Sequence, residues 1–159
     1  MWSTSRQKLS TAFMALCCVA GCAERSITIT DQNGEIVGAC VAGFDWHLYG
    51  LQDSIDYMLY ECAKESIALG LQVSDERLLT LDFTLPLPPE GDLWNKKLAM
   101  QQFHKGSITE KELGYVLAAI EHEYQTTVFS AESDLANGKI TQDEFDIMVK
   151  SATLKWLGE

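Results

Sequence analysis

All three prolines of the 159-residue chain fall within four positions, Pro86-Leu87-Pro88-Pro89, and Glu90-Gly91 follow them. Proline lacks a backbone N–H and has a fixed φ, so this run fits neither a helix interior nor a central strand. It reads as a short polyproline connector over 86–91. On its N-terminal side lie two alternating segments and one of helical spacing. On its C-terminal side every apolar run has helical spacing.

The first part, 22–85, opens with Ser26-Ile27-Thr28-Ile29-Thr30, which alternates as a half-buried strand does. Asp31-Gln32-Asn33-Gly34 carries the Asn-Gly hairpin signal, and 35–42 reads as the returning strand. Parity places Ile27, Ile29, Ile36 and Cys40 on one face. An aromatic loop covers 43–50. A helix is predicted over 51–69, with Ile55, Met58, Leu59 and Cys62 on its buried stripe and Gly70 at its end. Leu79, Leu81, Phe83 and Leu85 alternate with Thr80, Asp82 and Thr84, which predicts a third strand and a β-β-α-β module.

The second part, 92–159, predicts helices over 92–105, 110–137 and 142–157. Leu113, Val116, Leu117, Ile120 and Tyr124 form one stripe; Phe145, Met148, Val149, Ala152 and Trp156 or Leu157 form another. Thr126-Thr127-Val128 is a weak spot in the long helix. Gly114 and Ala118 share a face that permits close helix approach.

An internal echo punctuates this part. Gly106-Ser107-Ile108-Thr109-Glu110-Lys111-Glu112-Leu113 and Gly138-Lys139-Ile140-Thr141-Gln142-Asp143-Glu144-Phe145 both read G-x-I-T-x-x-E-apolar. Glycine suits the left-handed position that ends a helix. Threonine with glutamate three residues on makes a capping box, and the isoleucine sits where a hydrophobic staple belongs. Two tight corners therefore give an up-down-up unit. The expected class is α+β: a β-hairpin–helix–strand module followed by a three-helix unit, packed together as one body.

The order Gly, Ile, Glu also occurs in calcium-binding helix–loop–helix loops, but the ligand positions do not fit. Alignment on Gly138 puts Ser133, Leu135 and Asn137 at the first three, and alignment on Gly106 puts Gln101, Phe103 and Lys105 there. The second corner and its flanks, about 30 residues, resemble the short C-terminal helical (SHOCT) domain of bacteria. That resemblance implies an interaction or oligomerisation module, and the C-terminal helices as an oligomeric scaffold are one reading of the chain.

The N-terminus has a positive start at Arg6 and Lys8, a short apolar run over 9–20, and then Val19-Ala20-Gly21-Cys22. Zones of this kind make a secretory signal peptide over 1–21. The last four residues resemble the lipobox of bacterial lipoproteins. The resemblance implies that Cys22 receives a diacylglyceryl group, that the leader is cut before it, and that the protein is held on a membrane by its acyl chains. Residue 23 is Ala, where an Asp would resemble an inner-membrane retention signal. The expected address is the outer membrane, facing the periplasm. Only Ala23, Glu24 and Arg25 then separate the lipid from the first predicted strand, a reach of about 10 Å.

With Cys17 and Cys18 in the leader and Cys22 lipidated, Cys40 and Cys62 remain. An oxidising compartment and an even remainder point to one disulfide between them, the alternative being two buried thiols. Without the leader the chain carries 10 Lys and Arg against 23 Asp and Glu, a charge of −13. That acidity excludes nucleic acid as partner and opposes lying flat on anionic lipid.

Candidate chemistry centres on Asp45-Trp46-His47 in the aromatic loop, with Tyr49 beside it. A carboxylate near an imidazole could orient a general base, but no nucleophile elbow accompanies it. Trp and Tyr are also favoured anchors for a partner. Glu121-His122-Glu123 lies on the long helix at consecutive positions that point apart, and reads as a solvated face. No cofactor or metal is expected. The sequence points to a non-enzymatic, outer-membrane-anchored periplasmic lipoprotein that binds or supports another envelope protein. The alternative is a small periplasmic enzyme or ligand binder using the 45–49 loop.

Overall fold

The computed structural model describes residues 23–44 and 47–159. Strands β1 (Ala23–Thr30) and β2 (Ile36–Phe44) form the predicted antiparallel hairpin. Its turn is shaped by Asp31, whose carboxylate accepts from the backbone N–H of Asn33 at 2.8 Å and of Glu35 at 2.9 Å. Ile27 pairs with Cys40 and Ile29 with Gly38, but Thr30 pairs with Ile36, so one extra β2 residue is accommodated there. Such a bulge changes the side-chain parity. Ile36 is therefore 73% exposed instead of sharing the inward face of Ile27 and Cys40, a correction to the parity expected from the sequence.

Helix α1 (Leu51–Ala68) returns along the inner face of the hairpin and buries Ile55 and Leu59, with Met58 and Cys62 half-buried beside them. Cys40 and Cys62 form a disulfide with an S–S distance of 2.04 Å, which joins the middle of β2 to α1.

The third strand lies elsewhere than predicted. β3 is Gln72–Val73, paired with Thr30 and Ile29, so the sheet order is β2-β1-β3. Residues Glu76–Leu79 make a single 3₁₀ turn, and 80–85 form no ladder. Two causes are visible. The β1 edge is occupied by 72–74, because Ser74 donates its N–H to the Thr28 carbonyl and accepts the Thr28 N–H on its hydroxyl. Local side-chain bonds then hold the chain in turns: the Thr80 hydroxyl donates to the Arg77 carbonyl and Asp82 accepts the Thr84 N–H. Of the four alternating apolar residues only Phe83 is fully buried, among Tyr57, Tyr60 and Tyr115.

Past the prolines, α2 (Lys96–His104) starts four residues later than predicted. Asp92 is held in a turn by its N–H to the Pro89 carbonyl, and Asn95 caps the helix by accepting the Leu98 N–H at 2.8 Å. Helices α3 (Glu110–Ala136) and α4 (Gln142–Leu157) keep the expected bounds to within a residue. Both capping boxes form, Thr109 with Glu112 and Thr141 with Glu144. The preceding helices end in Gly106 at φ +72° and Gly138 at φ +68°, where a Cβ would be strained. The 126–128 segment stays helical, and the Thr127 hydroxyl donates to the Glu123 carbonyl one turn back.

Helix α3 is the shared wall of two cores. Tyr115 and Ala118 face the cluster built from the sheet, α1 and Phe83. Leu113, Val116, Leu117 and Ile120 face a second cluster with Ala99 of α2 and the staple residue Ile108. Residues 113–118 are all buried, as expected for a helix apolar around its circumference. Beyond Glu121 only Ala131 is buried, and α4 packs against α3 as well.

Candidate functional site

Two features of the folded chain bear on function: the loop after β2 and the groove between α3 and α4. Asp45 and Trp46, the heart of the loop, lie outside the described residues, as does Cys22. His47 and Tyr49 are described. The His47 ring packs on Phe44 at 5.1 Å between centroids, and its Nδ1 lies 3.0 Å from the Tyr49 carbonyl oxygen. Burial holds its pKa below the ordinary 6.5, opposed by the contact with the Tyr49 carbonyl. Tyr49 packs against Phe103 at the end of α2, 5.2 Å between centroids.

The loop is tied down at its far end. Gly50 takes φ +63° and donates its N–H to the Glu110 carboxylate at 3.0 Å. Ser54, fully buried, donates its hydroxyl to the Gly114 carbonyl at 2.8 Å. Asp53, beside this contact, has its carboxyl pushed up by burial, against the pull of Lys111.

The other end of the loop meets the start of β1, since Ala23 pairs with Phe44. β1 thus begins at the residue that follows Cys22, with none between, where the sequence alone indicated three intervening residues. Arg25 is clamped there by ion pairs to Asp56 on α1 and Asp75 after β3.

The groove has a volume of about 390 Å³ and is lined by Ile120, Tyr124, Ala152, Trp94, Met148 and Trp156. Its aromatic residues are ordered by one another. Tyr124 stacks on Trp156 at 5.5 Å, the Lys96 ammonium lies 5.0 Å over the Trp156 ring, and Trp94 donates its Nε1–H to the Pro86 carbonyl at 2.8 Å. An ion pair between Glu123 and Lys155 marks the rim. α4 has no buried residue, and Ile147 at the mouth is 67% exposed.

The sequence placed Tyr124 and Trp156 on separate apolar stripes and gave Trp94 no role; a tryptophan just past a proline run was the available signal. The 121–123 segment is not a wholly solvated face. Glu121 is only 9% exposed and accepts from the Gln125 amide at 2.9 Å, whereas Glu123 is exposed. Among the described residues no helix is long and apolar enough to cross a membrane, and no group of three or more His, Cys, Asp or Glu could hold a metal ion. No protein-family model, curated protein or solved structure matches the chain.

Proposed function

We propose that the chain is a lipid-anchored protein of the bacterial envelope, held by Cys22 on the outer membrane and facing the periplasm, and that it acts by binding another envelope protein. The observation that carries the binding half is α4: sixteen residues with none buried, packed on α3 yet leaving Ile147, Met148 and Leu154 exposed. Burying apolar area of this kind is the main driving force of association, and a groove with aromatic walls supplies the anchoring pockets. Residues 120–159 carry eight Asp and Glu against three Lys, so the complementary surface is an apolar helix or ridge with a basic rim. The anchoring half rests on the lipobox resemblance at 19–22, and the disulfide agrees with an oxidising compartment. The SHOCT-like corner supports the same reading.

The test is site-specific photocrosslinking from Ser151, on the groove wall, in intact cells, with and without Ile147→Asp. A single crosslinked species that Ile147→Asp removes supports the reading. A species of twice the chain's mass points instead to the oligomeric scaffold. No species sensitive to Ile147→Asp overturns the assignment of the groove.

A further inference from the structure

The described residues of the aromatic loop, 47–49, lie at the end of the hairpin where β1 begins, next to the expected lipid attachment point. Cys22 adjoins Ala23, about 3.8 Å away between Cα atoms, and Ala23 pairs with Phe44 across the hairpin. The His47 ring returns onto Phe44 while its Nδ1 meets the Tyr49 carbonyl, which closes the backbone around Leu48. Leu48, between those two contacts, is 86% exposed, the second most exposed large apolar residue among those described. Tyr49, next to it, is 49% exposed, with its ring supported by Phe103. Because β1 is a formed strand from Ala23 and Arg25 is clamped to Asp56 and Asp75, no slack chain separates this end from the anchor.

We propose that Leu48 and Tyr49 are a second membrane contact: Leu48 enters the headgroup–acyl boundary and Tyr49 lies at headgroup level, so that the acyl chains and the loop together fix the orientation of the body on the bilayer. This rests on the reading of Cys22 as lipidated. The chemistry fits an interface. A leucine gains by leaving water, and a tyrosine offers an apolar ring with a polar tip. A contact this small is negligible alone and becomes effective beside a covalent lipid, the two-signal logic of peripheral anchoring. Both side chains are uncharged, so the contact tolerates the −13 charge of the remaining chain and favours a zwitterionic surface.

The test uses the full protein, extracted from membranes and reconstituted in phosphatidylcholine vesicles, with Leu48→Cys carrying a nitroxide. Glu132→Cys, about 33 Å along α3 from Glu110, is the control position. Cys40 and Cys62 are bridged and a lipidated Cys22 cannot react, so intact mass should show one label per chain. The expected result is an oxygen-to-nickel-chelate accessibility ratio severalfold higher at position 48 than at 132. One label with equal ratios at the two positions overturns the loop contact and leaves the anchor standing. More than one label per chain shows Cys22 free, with Cys17 and Cys18 labelled too where the leader is kept; the lipoprotein reading fails and the loop contact falls with it.

Discussion

Gly50 and Gly114 meet backbone to backbone: a Cβ built on Gly114 would lie 2.4 Å from the Gly50 carbonyl oxygen and 2.9 Å from the Asp53 Cβ. The crossing of α1 and α3 depends on that approach, because Ser54 reaches the Gly114 carbonyl only across it.

Gly114→Ala should therefore destabilise the fold by about 1–3 kcal/mol, the range for overpacking a closed contact. Gly138→Ala has nothing within 4 Å and suffers only from φ +68°, at about 1 kcal/mol. Urea unfolding of the two oxidised variants should rank them in that order; equal midpoints would show that the helices separate without loss.

Reduction of the Cys40–Cys62 bridge, which spans a sequence separation of 22, should lower stability by about 3 kcal/mol on loop-closure grounds. Cys40 is almost wholly buried, so reduction under native conditions should be slow and should accelerate in denaturant. The check is thiol titration over time at several urea concentrations, with unfolding curves for both redox forms.

Acidification should weaken both helix corners. Hydrogen bonds from the Thr109 backbone and hydroxyl hold the Glu112 carboxyl below its ordinary 4.5, and Thr141 does the same for Glu144. A carboxylate with a lowered folded pKa contributes stability above its unfolded value and loses it as pH falls through the folded one. The loss belongs below pH 4.5. Asp53, raised by burial, acts with the opposite sign, its gain coming as pH falls through its raised value towards 3.8. Glu112→Gln with Glu144→Gln should flatten the fall of the unfolding midpoint with acid; an unchanged slope would remove the caps from the account.

The outer edge of the sheet yields a fourth expectation. β2 is a nine-residue edge strand, IVGACVAGF, with no charge and no proline, and Val37 and Val41 are exposed on its outer face. Such edges pair with other chains unless blocked. Val41→Lys should leave the unfolding midpoint within about 0.5 kcal/mol and should suppress concentration-dependent aggregation measured by light scattering. Unaltered aggregation would locate the sticky surface elsewhere.

Features fixed by neighbouring residues were legible in the sequence. The Asp31–Gly34 turn, the Thr109 and Thr141 caps and the glycines that end the preceding helices are settled within a few residues of chain. Features fixed by distant competition were not. The alternation at 79–85 is real, but 72–74 had already filled the open edge of β1. Ile36 left its expected face through one bulged residue that parity arguments do not see. The groove eluded the sequence because its walls come from Trp94, the middle of α3 and α4, three separate segments. The cysteine pair was legible because each partner lay on an independently predictable inward face.

β1, the first strand among the described residues, is the middle strand of its sheet, flanked by β2 on one side and β3 on the other. A polypeptide delivered N-terminus first therefore holds its central strand half-satisfied until Val73 arrives, and Arg25 waits until Asp75. Closing such long loops slows folding. During that interval the exposed side of β1 is an open template, and the cell must protect it or keep the interval short.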